Sequence, residues 1–164
     1  MSHPPPNPHA YEARKWFQLG EHHLRIASTL VGTFPDGSVF HTYHAFECAV
    51  SAVIAAKGCG VPPSGKKFGP KGLVYYQGPS GQIHEPSTHK VRLILFDQLA
   101  DKSKPYYSTF STLKRILTNR LRSDTLYYDQ AKDLLPEQQF DETRAKALYE
   151  QVEKWIEDVR GEIP

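Results

Sequence analysis

A chain of 164 residues, 39% of them hydrophobic and 23% charged, is long enough to bury one core without disulfides or a structural metal. A formal charge of +2 gives no general field for nucleic acid, so any basic surface has to be local. No run approaches the ~18 consecutive apolar residues of a membrane span, and the opening MSHPPPNPH lacks the apolar core of a signal peptide.

Residues 1–9 read as a proline-stiffened, flexible arm ahead of a single domain over 10–164. Over 10–31 the residues Trp16, Leu24, Ala27, Leu30 and Val31 recur at a helical period, with Gly20 and His23 in the same stripe. GTFPDGS then breaks the pattern and offers Asp36 or Ser38 as the cap of a second helix over 38–57. That helix is apolar nearly all round, with Phe40, Tyr43, Val50 and Ile54 on one side and Ala45, Ala49 and Ala52 behind, which predicts a central position. Glu47 lies within the stripe of large residues, where a carboxylate is costly unless a cation or several donors meet it.

A Gly/Pro-rich insert over 58–87 is too long for an ordinary connection. Within it, LVYYQ and QIH around GPSG could pair as a small β-hairpin. Lys66, Lys67 and Lys71, spaced by glycines, could follow a phosphate backbone or serve only solubility. A third helix over 88–101 begins after EPST, where Ser87 or Thr88 can cap, and repeats Val91, Leu95 and Leu99. A fourth over 106–122 places Tyr106, Phe110, Leu113, Leu117 and Leu121 on one face and Arg115 and Arg122 on another. The last, over 138–161, turns Leu148, Val152, Trp155, Ile156 and Val159 inward. The expected architecture is an all-α, up-and-down bundle of four or five helices interrupted by the insert between helices two and three.

Cys48 lies in an apolar helical pattern and Cys59 between glycines, which fits reduced thiols in a cytoplasm better than a secreted disulfide framework or a zinc site. His41, His44 and Glu47 on helix two, with His22 and His23 on helix one, raise a metal site between the helices. At helical spacing His44 and Glu47 lie about 60° apart, but His41 is about 120° from Glu47. Di-metal bundles use paired Glu-x-x-His motifs and no second one is present, so neither metal nor cofactor is expected and a metal-binding bundle stands as the last alternative.

The first helix, with Trp16, Gly20, Leu24 and Ala27, and the second, with FHTYHAFECA over 40–49, resemble the signatures of HEPN-domain proteins. His89 at the opening of helix three, and Arg122 to Tyr127 at the end of helix four, which resembles a family ending often written R-x-x-x-D-Y, extend that resemblance over most of the chain. The resemblance implies a four- or five-helix bundle that works as a homodimer, in defence, toxin–antitoxin or stress systems. Catalytic members are metal-independent ribonucleases with an Arg and a His four to six residues apart. Here Arg122 or Arg120 matches the arginine, while Tyr127 or Tyr128 takes the histidine's place. Tyrosine, with a pKa near ~10, is a poor base at neutral pH, whereas arginine still binds phosphate in a bidentate way.

The expectation is therefore a domain that binds RNA, a nucleotide or a cognate protein without turning it over, with a divergent ribonuclease as the alternative. Candidates for chemistry are Arg122, Arg120, Tyr127 and Tyr128; candidates for binding are Glu47, Lys66, Lys67, Lys71, Arg115 and His89. A loop histidine, His84 or His89, could supply a base if the insert folds over the arginines. The structural reading of RLRSDTLYYD has Arg120 or Arg122 turning back to Glu47, with Asp124 and Asp129 capping or pairing nearby.

Overall fold

The structure, a computed structural model, describes residues 7–59, 66–68, 74–77, 83–84, 88–127 and 129–164. It is an all-α bundle. Its long helices are α1 (Ala10–Leu30), α2 (Pro35–Ala56), α3 (Thr88–Leu99) and α4 (Pro105–Ile116), followed by short α5 (Asn119–Asp124) and α6 (Pro136–Gln139) and by long α7 (Glu142–Val159). Within the insert, β1 (Lys66–Phe68), β2 (Val74–Gln77) and β3 (Ile83–His84) are arranged antiparallel in the order β1-β2-β3. The register places Lys67 opposite Tyr75 and Gln77 opposite Ile83.

Helix α2 packs against α1, α3 and α7, as its all-round apolar sequence predicts. Its large side chains meet those of three other helices in one aromatic hub. Phe46 of α2 lies 5.0 Å from Trp155 of α7, and Phe96 of α3 lies 4.1 Å from Phe110 of α4, measured between ring centroids. The Trp155 indole is fully buried and donates to the Tyr106 carbonyl at 2.9 Å, so its one polar atom is satisfied.

Three helix boundaries differ from expectation. Helix α2 starts at Pro35, three residues earlier, because proline at the first helical position needs no N–H partner. Ser38 is then not a cap: its hydroxyl donates to the Ala27 carbonyl at 2.9 Å and fastens α2 to α1. The fourth helix is two helices. Leu117 leaves helical geometry at ψ 69°, and the Thr118 hydroxyl accepts from Leu121 N at 3.2 Å, capping α5. Leu113, Leu117 and Leu121 all stay buried through this break, so the apolar stripe did not betray it. The last helix likewise starts at Glu142 rather than 138, with Asp141 as its cap accepting from Arg144 N at 2.7 Å.

At the other end of α2, Gly58 adopts φ 79°, a left-handed conformation that glycine enters without a Cβ clash. Gly58 N donates to Ala55 O at 2.9 Å and Cys59 N to Ile54 O at 3.2 Å, the paired bonds of a Schellman ending. The Asn7 carboxamide adds donations to Ala55 O and Ala56 O at 3.0 and 2.9 Å. Thus the arm is tied down from Asn7 onward, where its composition predicted a loose tail.

Candidate functional site

The site grows from Glu47. Helical spacing puts Tyr43 and His44 one turn before it, and α3 brings its first turn alongside, with His89 facing the same carboxylate. Glu47 is only 6% exposed, so in this setting its charge needs donors. Three surround it. His89 Nδ1 and the Tyr43 hydroxyl both meet Oε1, the latter at 3.2 Å, while His44 Nδ1 lies 3.8 Å from Oε2. Tyr43 also lies 3.4 Å from His89 Nδ1, so the three groups are one cluster.

The partner of Glu47 is thus a histidine and a tyrosine, not an arginine from the end of the fourth helix. Arg120 points elsewhere: it is exposed and faces Asp129 at 3.4 Å and Asp124 at 3.9 Å. Asp129 in turn accepts from Ala131 N and Lys132 N, at 3.0 and 3.2 Å, and holds the following turn. Arg122 is half-buried on α5, with its Nε donating to Asn119 Oδ1 at 3.3 Å. No carboxylate among the described residues is within ion-pair range of Arg122. Its charge nevertheless reaches the cluster, favouring the ionised hydroxyl of Tyr43 and the neutral ring of His44.

Burial, then the Glu47 carboxylate, pushes the Tyr43 hydroxyl above its ordinary range, so it remains a hydrogen-bond donor. His44 is held below the usual imidazole value mainly by burial; Glu47 opposes that shift and Arg122 adds to it. His44 Nε2 is buried without a hydrogen-bond partner among the described residues. A row of imidazoles extends from it toward α1: His44 stacks on His23 with centroids 5.5 Å apart, and His23 meets His41 with Nδ1 atoms 2.9 Å apart. Five of the chain's eight histidines, His22, His23, His41, His44 and His89, belong to this row or adjoin it.

Chemically, a carboxylate fixed on Nδ1 of His89 selects the tautomer whose Nε2 carries a lone pair, an arrangement suited to proton transfer. The His89 side chain is 31% exposed, so solvent reaches it. Among the described residues no group of three or more His, Cys, Asp or Glu is placed to hold a metal ion. Cys48 and Cys59 are both buried, and burial pushes the Cys48 thiol up to about 12, far from a reactive thiolate.

Of the other candidates, Tyr127 is exposed, whereas Glu47 and Tyr43 are buried. Arg115 is exposed on α4, separated from Arg122 by the break at Leu117 rather than sharing a helical face with it. Lys66 and Lys67 lie on β1, whose side chains are outside the described set, as are Lys71, Ser87 and Tyr128 altogether. Sequence reasoning placed Glu47 and His89 separately but did not join them. The sequence pattern assigns Tyr43 to packing and His23 to the apolar stripe or a metal site, and the one available signal for the cluster is the density of histidines on facing helices.

No family model matches the chain, and the comparisons with curated proteins and with solved structures found no match either. No helix among the described residues is long and apolar enough to cross a membrane.

Proposed function

We propose that the protein is a HEPN-like domain that binds RNA or a nucleotide through phosphate at the end of the bundle marked by Arg122. The observation that carries this reading is that Arg122 has no carboxylate mate among the described residues, while its charge acts on Tyr43 and His44, in a cluster whose His89 side chain is 31% exposed. A guanidinium so placed keeps its forked donors for an oxyanion. The HEPN resemblance adds a homodimer as the working unit, in a defence, toxin–antitoxin or stress setting. The test is fluorescence anisotropy of a labelled single-stranded RNA over a salt series. Binding that weakens with salt and drops about tenfold in Arg122→Ala supports the reading, on the scale of one charge-assisted phosphate contact. Absence of RNA binding at low salt by the intact protein rejects it and leaves a cognate protein as the ligand to seek.

One observation favours a second reading, metal-independent cleavage of RNA. His89, oriented by Glu47, could take the 2′-hydroxyl proton while Arg122 binds the phosphate; the 2′-oxygen then bonds to phosphorus as the bond to the 5′-oxygen breaks, giving a 2′,3′-cyclic phosphate and a 5′-hydroxyl whose proton comes from water. This supplies from α3 the base that Tyr127 cannot provide. RNA cleavage that persists in EDTA and disappears in both His89→Ala and Arg122→Ala would establish it; RNA left intact by the unaltered protein confines the function to binding.

A further inference from the structure

We infer that the contact between His23 and His41 is a proton-sensitive latch between α1 and α2, closed while at least one of the two rings is neutral and opened when both are protonated. The geometry begins at Gly20. A Cβ there would lie 3.2 Å from the Ala45 carbonyl and 3.4 Å from Cys48 Cβ, so the missing side chain is what lets α1 rest on α2. One turn further along, this close approach sets His23 against His41, Nδ1 to Nδ1, at 2.9 Å.

A neutral imidazole has one donor nitrogen and one acceptor, so the contact joins one ring protonated at Nδ1 to one protonated at Nε2. A single added proton preserves the bond, since the cationic ring donates to the other's lone pair. A second proton places N–H against N–H and cation against cation, and nothing holds the rings together.

Among the described residues the surroundings supply no counter-charge. From α1 the neighbouring group is His22, whose ring centroid is 6.2 Å from that of His23. From α2 it is His44, stacked on His23, with Phe40 edge-on to both His41 and His44 at 5.3 and 4.4 Å. Beyond His44 lie Glu47, His89 of α3 and Arg122 of α5. Glu47 is the only carboxylate of this set, and it is engaged by His89 and Tyr43. Burial first, and then His41, His44 and His22, hold His23 down at about 4; burial and then His22 lower His41.

The sign follows from linkage. With folded values below the ordinary imidazole value of 6.5, the unfolded chain binds more protons between that value and about 4. Stability is therefore complete above the ordinary value and declines as pH falls through this window. The α1–α2 seam is where it declines.

The experiment is a long-range nitrogen–proton NMR titration of the imidazoles in the whole chain, joined to thermal melting at pH 7 and pH 5. His23 and His41 are expected to show opposite tautomers at pH 7, to keep at least one neutral ring at pH 6, and to lose their pairing below pH 5. His23→Gln/His41→Gln, which cannot titrate, is expected to lose about 5 °C less in melting temperature between the two pH values than the unaltered chain. Protonation of both rings with midpoints at or above ~6.5 overturns the latch. So does an equal acid loss in the double variant. If that variant does not fold, the NMR titration of the unaltered protein decides alone.

Discussion

Glu47 and His89, 42 residues apart in the chain, meet at one carboxylate oxygen, and the Tyr43 hydroxyl shares the same atom. A buried anion with two donors is stable only while both remain. Glu47→Ala is expected to cost about 2–4 kcal/mol by leaving an imidazole and a phenol without their acceptor, with Glu47→Gln falling between it and the parent. Urea melts at pH 7 check this. Arg122→Ala should leave the midpoint nearly unchanged, since Arg122 does not pair with Glu47; a large loss there would restore an arginine as the carboxylate's mate.

Gly20 and Gly161 make a paired test of close approach. Gly20→Ala pushes a methyl against a backbone carbonyl that cannot swing aside, and should lower stability by about 1–3 kcal/mol. Gly161→Ala meets nothing within 4 Å and should stay within about 0.5 kcal/mol of the parent. Equal melting temperatures for the two variants would place the α1–α2 contact elsewhere.

Removing the hub is costly for a different reason. Trp155→Ala leaves a cavity among Phe46, Phe96 and Phe110 and frees the Tyr106 carbonyl, with an expected loss of about 3–5 kcal/mol. Trp155→Phe keeps most of the packing and should lose less than half of that, measured by calorimetry. A near-neutral Trp155→Ala would mean that four helices do not share this core.

Arg122 and Arg115 separate the proposed phosphate site from general basicity. Arg122→Ala should weaken RNA binding across sequences and reduce the slope of log K against log salt by about 1. Arg115→Ala, on exposed α4, should change neither by more than about twofold, a difference of ~0.4 kcal/mol. Equal effects at the two positions would reduce the interaction to net charge.

The helices were legible because their apolar faces repeat over three turns or more, and α2 declared its central place by being apolar on every side. The break after Leu117 was hidden, since Leu113, Leu117 and Leu121 keep an unbroken stripe while Thr118 restarts the helix with a single hydroxyl. The carboxylate at Glu47 was readable as a group in need of donors, but its donors were not. His89 is separated from it by the whole insert, and local periodicity says nothing about which first turn lands beside which helix. Arginine was expected because guanidinium is the usual mate of a buried acid; imidazole and phenol together satisfy the same need at lower desolvation cost.

The Asn7 clasp ties the finishing of α2 to a segment made much earlier. During synthesis, the carboxamide emerges nearly fifty residues before the carbonyls of Ala55 and Ala56 that it will engage. The last turn of the most buried helix is therefore completed in part by chain that has already left the ribosome. Enzymatic trimming that removes residue 7 would take one donor from the Ala55 carbonyl, which keeps Gly58 N, and would leave the Ala56 carbonyl to water, so fraying would begin at the mouth of the insert.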